Sequence, residues 1–179
     1  MELMEEAGYE FEIIVPNVEE VHDESLTCEE LTIENAKLKA LVVARMRPQS
    51  IVIAADTLVY LDDMPITKPR DLTEAAEMLR RLSGRTHEVC TGVAIAADGG
   101  EALCVFHVIS DVTFKPLTDA VIAEYHRRIE PLDKAGAYAI QDESAMIIEG
   151  ITGSWSNVKG LPMEKLNAEL AAFCLKHNG

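Results

Sequence analysis

A short apolar run with an acid directly behind it constrains the fold of this 179-residue chain more than any other feature. Residues 51–55 read Ile-Val-Ile-Ala-Ala with no polar alternation, which is typical of a strand buried on both faces. Asp56 and Thr57 then interrupt the run before apolar residues resume at Leu58. A carboxylate beside a buried strand is costly unless a cation, a metal or several donors pair with it. The run therefore predicts a buried strand that ends in an acid with a partner.

Positive charge follows this acid at Lys68 and Arg70. An acid at a strand end, followed by a loop with a fixed lysine, suits a metal-bound phosphate ligand. The alternative is that Asp56 caps a turn and that the Lys-Pro-Arg tripeptide lies in a solvated loop. Single acids at strand ends are common, so this stretch alone favours the second interpretation.

Elsewhere, helical and strand patterns alternate along the chain. Thr73 and Thr118 each precede a helical pattern and are expected to be N-caps, and Thr27 precedes the longest helical pattern. The turn Asp98-Gly99-Gly100 separates two alternating runs and indicates a β-hairpin. We predict helices over residues 1–7, 28–47, 74–82, 119–128 and 164–177, strands over 11–15, 51–55, 87–95 and 103–114, and a strand with a turn over 146–155. This order predicts a mixed α/β or α+β fold.

The composition argues against several classes of protein. A net charge of −15 disfavours a nucleic-acid-binding surface, which needs a basic stripe. It leaves room for a small anionic substrate, because charges beyond about 8 Å are largely screened at physiological salt. No window approaches the roughly 20 apolar residues of a membrane span, and the acidic N-terminus lacks the cationic start of a signal peptide. The four cysteines are far apart with no CxxC pair, which predicts reduced thiols in a cytoplasmic protein.

Several motifs occur together in one order along the chain. They are Ala55-Asp56-Thr57, Lys68-Pro69-Arg70-Asp71, Leu82-Ser83-Gly84, the block EPLDKAGAY at 130–138, Ile140-Gln141 and Gly160-Leu161-Pro162. As a set they resemble the Maf family of nucleoside triphosphate pyrophosphatases, and the resemblance covers nearly the whole chain. The form Ala-Tyr-x-Ile-Gln is similar to the branch of that family that acts on dTTP and UTP.

The resemblance implies a fold and a reaction. The fold is a mixed twisted sheet with flanking helices and a central cleft, similar to that of inosine triphosphate pyrophosphatase. It would make residues 1–179 a single domain of two lobes. The reaction is hydrolysis of a nucleoside triphosphate to the monophosphate and pyrophosphate, with Mg²⁺ or Mn²⁺ as the cofactor. The implied partner is this nucleotide, and a homodimer is compatible with the resemblance.

The resemblance also assigns roles to individual residues. The catalytic acid is Asp56, the metal ligands are Glu19 and Asp56, the phosphate-binding lysines are Lys39, Lys68 and Lys134, and the residues that set base choice are Thr57 and Gln141. A carboxamide such as Gln141 can donate and accept, which matches the O4 and N3–H edge of uracil or thymine. Lys134 could instead pair locally with Asp133. We do not assign a general-base role to His87, because the metal site already supplies a base.

Two departures from the family pattern keep other functions open. The family begins with a strand and a Ser-x-Ser-Pro-Arg-Arg phosphate loop, whereas Met1 of this sequence matches the helix that follows the loop. Asp142 stands where the family usually has glycine. One alternative is therefore a non-catalytic nucleotide-binding regulator of the same fold. Another is a phosphatase of a different class that releases single phosphates.

Overall fold

Five strands and six α-helices form within residues 2–23, 25–62, 64–141 and 143–177, which the computed structural model describes. In chain order they are α1 (Glu2–Glu6), α2 (Cys28–Met46), β1 (Val52–Leu61), β2 (Met64–Ile66), α3 (Leu72–Leu82), β3 (Thr86–Ala97), β4 (Ala102–Phe114), α4 (Asp119–His126), β5 (Ile148–Thr152), α5 (Trp155–Val158) and α6 (Met163–His177). The strands form one sheet in the order β2-β1-β3-β4-β5. The predicted mixed α/β class, a sheet with flanking helices, is confirmed.

The two outer strand pairs of the sheet are antiparallel. Val59 of β1 faces Ile66 of β2, and Asp111 of β4 faces Thr152 of β5. The β4–β5 ladder is irregular after Thr113, where the register shifts. The short strand β2 has only three residues, and the sequence did not indicate it.

The chain divides into two compact units, each with its own core. The first unit takes in the chain up to Thr57, Thr91–Val108 and the chain from Gly160 onward, and the second takes in Leu58–Cys90 and Ile109–Lys159. Apolar residues of α6, β3 and β4 pack together in the first unit, where α2 covers a second cluster. In the second unit the core is built on α3, α4 and the adjoining strands. That the two units act as a single domain stays a prediction.

Helix α2 lies against strand β3 at a position that only glycine can occupy. The helix begins with a capping box, in which Thr27 and Glu30 bind each other's backbone N–H groups. A Cβ atom added to Gly92 would lie 2.3 Å from the carbonyl carbon of Thr32 and 2.5 Å from the backbone nitrogen of Ile33. The missing side chain therefore lets the backbone of α2 approach the strand directly.

The strand predicted over residues 11–15 is wrong. This segment has no regular secondary structure, and its alternating apolar residues point outward: Val15 is 88% exposed. An alternating pattern forms a strand only where a neighbouring strand supplies hydrogen bonds and a core covers one face. Here Arg47 instead pairs with Glu12 at 3.3 Å.

Two further sequence predictions need correction. Helix α3 begins at Leu72 and is capped by Asp71, whose carboxylate accepts the N–H groups of Thr73 and Glu74, so Thr73 is not the N-cap. Strand β1 does not end before Asp56 but continues to Leu61, which places the acid in the middle of the strand. The apolar residues after Thr57 thus belong to the same strand.

A buried histidine lies in the core of the second unit. His87 is 2% exposed, and its Nε2 atom is 2.8 Å from the hydroxyl oxygen of Tyr138. Its Nδ1 atom has no hydrogen-bond partner within the described residues. The ring meets Phe114 edge-on, with 4.9 Å between centroids. Burial among these rings lowers the pKa of His87 to about 4.

This burial predicts a pH-dependent stability. In the unfolded chain His87 binds a proton below its ordinary pKa of 6.5. In the folded protein it stays neutral down to about pH 4. Stability should therefore fall as the pH drops through this window, by about 3 kcal/mol in total from this group. Urea unfolding at pH 7, 6 and 5 measures the slope, which His87→Phe should reduce. His107→Gln, which removes an exposed histidine, is the matched control for the loss of one imidazole. An equal slope in His87→Phe would contradict the assignment.

Candidate active site

Asp56 projects from the middle of β1 and both of its carboxylate oxygens are hydrogen-bonded. It is 9% exposed. The Nζ atom of Lys39 donates to Oδ1 at 2.7 Å, and the Nδ2 atom of Asn35 donates to Oδ2 at 3.3 Å. Both donors lie on α2 one turn apart, so they share a helix face. The strand and the helix thus fix the orientation of this buried carboxylate.

Lys39 joins two carboxylates through one ammonium group. Its Nζ atom is 2.6 Å from Oε1 of Glu20 as well as 2.7 Å from Oδ1 of Asp56. Burial on its own would lower the pKa of Lys39, but the hydrogen bonds to Asp56 and Glu20 outweigh burial and raise it above the ordinary value. The ammonium therefore stays protonated and offsets the cost of burying Asp56.

Asn35 connects the same helix face to the chain that follows Glu20. Its Oδ1 atom accepts the backbone N–H of Val21 at 2.7 Å, and its Nδ2 atom donates to the carbonyl oxygen of Val21 at 3.3 Å. Asn35 was not predicted from the sequence as a site residue. The available signal was its position four residues before Lys39, next to the apolar stripe of α2.

The structure brings Glu20 rather than its neighbour Glu19 to Lys39. Glu19 is exposed and makes no hydrogen bond or ion pair within the described chain. Its role as a metal ligand stays a prediction. Asp56 and Glu20 present hard carboxylate oxygens to one cationic group, which is a donor set that fits Mg²⁺ or Mn²⁺. No group of three or more His, Cys, Asp or Glu side chains that could hold a metal occurs among the residues described.

Thr57 turns its hydroxyl toward a second threonine. The two Oγ1 atoms of Thr57 and Thr91 are 2.9 Å apart and share a hydrogen bond. Gly160 lies beside them with φ +100°, and a Cβ atom there would be 3.6 Å from the Thr57 hydroxyl oxygen. The hydrogen bond to Thr91 thus orients the half-buried hydroxyl of Thr57, which lies next to the backbone of Gly160.

The remaining predicted residues lie in the second unit. The N–H of Gly136 donates to the carbonyl oxygen of Thr67 at 3.2 Å, which ties the segment after Lys134 to the segment that carries Lys68. Lys134 pairs with Asp133 at 2.6 Å, the local pairing that the sequence analysis had left open. The hydrogen bond from Lys134, with a smaller contribution from the charge of Lys68, lowers the pKa of Asp133.

Lys68 and Gln141 present unengaged side chains. Both are exposed, and neither makes a hydrogen bond or ion pair to the parts of the chain that the structure describes. Asp142, the position that departs from the family pattern, lies outside the described residues. In the first unit Asp56 therefore contacts Lys39 directly. In the second unit Lys134 contacts Asp133, and Lys68 acts on Asp133 only through its charge.

Comparison of this chain with known proteins identifies its family. The model of the Maf-like protein family matches residues 1–173. The chain belongs to the Maf family. No helix in the described ranges is long and apolar enough to cross a membrane.

Similar proteins come from several bacteria. The dTTP/UTP pyrophosphatase of Akkermansia muciniphila is 46% identical over 162 residues, which are 90% of this chain and 85% of that protein. The dTTP/UTP pyrophosphatase of Desulforamulus reducens is 41% identical over 172 residues, 96% of this chain and 90% of that protein. The protein of the same name from Caldicellulosiruptor bescii is 43% identical over 174 residues, 95% and 87% of the two chains.

Proposed function

We propose that this protein is a nucleoside triphosphate pyrophosphatase that hydrolyses dTTP and UTP, or modified pyrimidine nucleotides, to the monophosphate and pyrophosphate. The names of the similar proteins support the substrate class. The observation that carries the proposal is the buried Asp56 carboxylate, with one oxygen bound by Lys39 and the other by Asn35. A fixed carboxylate in a shielded position is what hydrolysis at a phosphorus atom needs to orient a water molecule.

The proposed chemistry assigns the reacting steps to Asp56. It orients the attacking water and accepts its proton, while the α-phosphorus is the electrophile and pyrophosphate leaves. A bound Mg²⁺ or Mn²⁺ would neutralise phosphate charge and lower the pKa of a water ligand. Asp56 would hold this ion with Glu19, the ligand expected from the sequence, or with Glu20, whose contact with Lys39 supports it. Lys39 keeps the paired acids from repelling each other.

The phosphate charges are assigned to lysines. Lys68 is exposed and unengaged within the described residues, so its ammonium can bind a phosphate without first breaking an ion pair. Lys134 would have to release Asp133 to do the same. We therefore expect Lys68 to contribute more than Lys134 to substrate binding, as point charges on flexible stems.

Thr57 and Gln141 are the proposed residues for base choice. The carboxamide of Gln141 is exposed and can match the O4 acceptor and N3–H donor of uracil and thymine at once. The same carboxamide meets a donor amino group at C4 of cytosine, which would require the opposite orientation. Thr57 supplies a hydroxyl whose direction is limited by Thr91.

The setting of this activity is also part of the proposal. We place it in the cytoplasm as a house-cleaning activity of nucleotide metabolism, consistent with Cys104 and Cys174 carrying no disulfide. The expected ligand is the nucleotide rather than a nucleic acid, which a net charge of −15 disfavours. A homodimer is an expectation that sedimentation can test.

The direct test is a product assay with dTTP, UTP, CTP, ATP and GTP in the presence of Mg²⁺ or Mn²⁺. We expect release of pyrophosphate, faster from dTTP and UTP than from the other three. Release of orthophosphate would indicate the other class of phosphatase. Binding of dTTP and UTP without any product would support the non-catalytic regulator.

Gln141→Ala should change base choice rather than chemistry. The substitution leaves the base edge unpaired, so the preference for UTP over CTP in kcat/KM should shrink several-fold, since a neutral hydrogen bond contributes about 0.5–1.5 kcal/mol. Gln49→Ala, which removes another exposed glutamine, is the matched control and should leave the preference unchanged. A Gln141→Ala enzyme that loses rate equally on both nucleotides would refute this role.

A further inference from the structure

Asn35 is a buried amide that contacts both acidic segments of the candidate active site. It is 2% exposed and lies on α2 beside the apolar residues Leu31 and Ala36. Asparagine is a poor residue for a helix interior, and a buried amide is costly unless it is hydrogen-bonded. The partners that Asn35 uses here are the backbone of Val21 and the carboxylate of Asp56.

The contacts with Val21 fix which way the amide group points. The carbonyl oxygen of the side chain accepts from the N–H of Val21, and the NH₂ group donates to the C=O of the same residue. A flipped amide would set two donors against each other and two acceptors against each other. The second proton of the NH₂ group is therefore directed at Oδ2 of Asp56, 3.3 Å away.

Two residues of α2, Lys39 and Asn35, thus each bind one oxygen of the Asp56 carboxylate. Lys39 binds Oδ1 and Asn35 binds Oδ2 of Asp56. The same two residues also hold the acidic segment, since Lys39 binds the side chain of Glu20 and Asn35 binds the backbone of the next residue, Val21. One helix face therefore sets the position of Glu20 relative to Asp56.

We propose that Asn35 is a positioning residue that aligns the carboxylates of Asp56 and Glu20 on one divalent cation. The inference rests on the proposed function and assigns the alignment to a residue that binds the Asp56 carboxylate and the backbone of Val21. A hydrogen bond from an outer residue to a ligating carboxylate orients it, and removal of such a partner typically costs roughly 10- to 100-fold in metal affinity or activity.

The test compares Asn35→Leu with Val43→Ala. Leucine keeps the branch at Cγ but is larger, and it loses every hydrogen bond of the amide. Val43 is buried two turns further along the same helix among alanines, so its truncation destabilises α2 without touching a polar group. Asn35→Ser is a second, less apolar variant whose short hydroxyl cannot span the same partners. All proteins are assayed below their unfolding temperatures, which thermal melts define.

The first measurement is calorimetric titration with Mn²⁺ and no nucleotide. We expect both Asn35 variants to bind Mn²⁺ at least about tenfold more weakly than the wild type, while Val43→Ala binds as the wild type does. The second is steady-state hydrolysis of UTP. Here kcat of the Asn35 variants should fall about tenfold or more with KM within twofold, because alignment serves the reacting water rather than the phosphates.

Each outcome separates this inference from the proposed function. If the wild type hydrolyses UTP and the Asn35 variants match Val43→Ala in Mn²⁺ affinity and kcat, the positioning role is wrong and the function stands. If the wild type binds Mn²⁺ but releases no pyrophosphate, the function fails, and weaker Mn²⁺ binding by the Asn35 variants still supports the alignment. If the wild type neither binds Mn²⁺ nor hydrolyses UTP, both are overturned.

Discussion

Replacing Asp56 by Asn is expected to lower kcat/KM for UTP and dTTP by roughly 100-fold or more, the usual scale for loss of a general base. Asparagine keeps the size of the side chain but cannot accept a proton and is a weak ligand for a divalent cation. Lys39 keeps its ion pair with Glu20 at 2.6 Å, so the neighbourhood of the substitution stays largely paired. The loss should therefore appear in catalysis and not in folding.

The control for this prediction is Asp62→Asn. Asp62 is an exposed carboxylate that pairs with Arg85 and adopts a positive φ of 55°, a conformation that asparagine tolerates well. We expect this variant to hydrolyse UTP at the wild-type rate. Retention of more than about a tenth of the rate by Asp56→Asn, with unchanged thermal stability, would contradict the role of Asp56 as base and ligand.

The largest effect on stability is expected from Gly92→Ala. The new Cβ atom would lie 2.3 Å from a backbone carbon of α2, and backbone cannot rotate away as the end of a side chain can. Inserting an atom into a packed core typically costs 1–3 kcal/mol, and we expect about 3 kcal/mol or more here because both partners are backbone. Helix α2 carries Asn35 and Lys39, so any variant that folds should also lose activity.

Urea unfolding monitored by circular dichroism measures this loss. The matched control is Gly150→Ala on β5, where an added Cβ atom meets nothing within 4 Å. It should change the free energy of unfolding by less than about 1 kcal/mol, since it alters only backbone entropy and strand propensity. A Gly92→Ala protein as stable as Gly150→Ala would show that α2 does not lie against β3 as described.

The elements that the sequence predicted well are those with strong local signals. Helix α2 has a capping box and a proline soon after its end, and the β3–β4 hairpin has two long alternating runs joined by Asp98-Gly99-Gly100. Such signals are independent of the rest of the fold. Apolar residues alternate in segment 11–15 as well. A strand also needs a neighbouring strand to pair with, and the local sequence gives no information about that partner.

The candidate site was predictable only in part for a related reason. The family resemblance had already singled out Lys39 and Asp56, but with separate roles, and their direct pairing at 2.7 Å is seen only in the structure. Glu19 and Glu20 are adjacent acids in a segment without periodicity, so nothing local distinguishes the one that faces Lys39. The role of Asn35 could not be predicted from its local sequence, because its partners Val21 and Asp56 are 14 and 21 residues away.

The measurement that tests the central claim most directly is hydrolysis of UTP in H₂¹⁸O with Mg²⁺ present. Water attack at the α-phosphorus, as proposed for Asp56, places one ¹⁸O atom in UMP and leaves the pyrophosphate unlabelled. Mass spectrometry of the two products should show this pattern for the wild-type protein and no product above background for Asp56→Asn. Label in pyrophosphate, formation of UDP with orthophosphate, or equal product from Asp56→Asn would contradict the account.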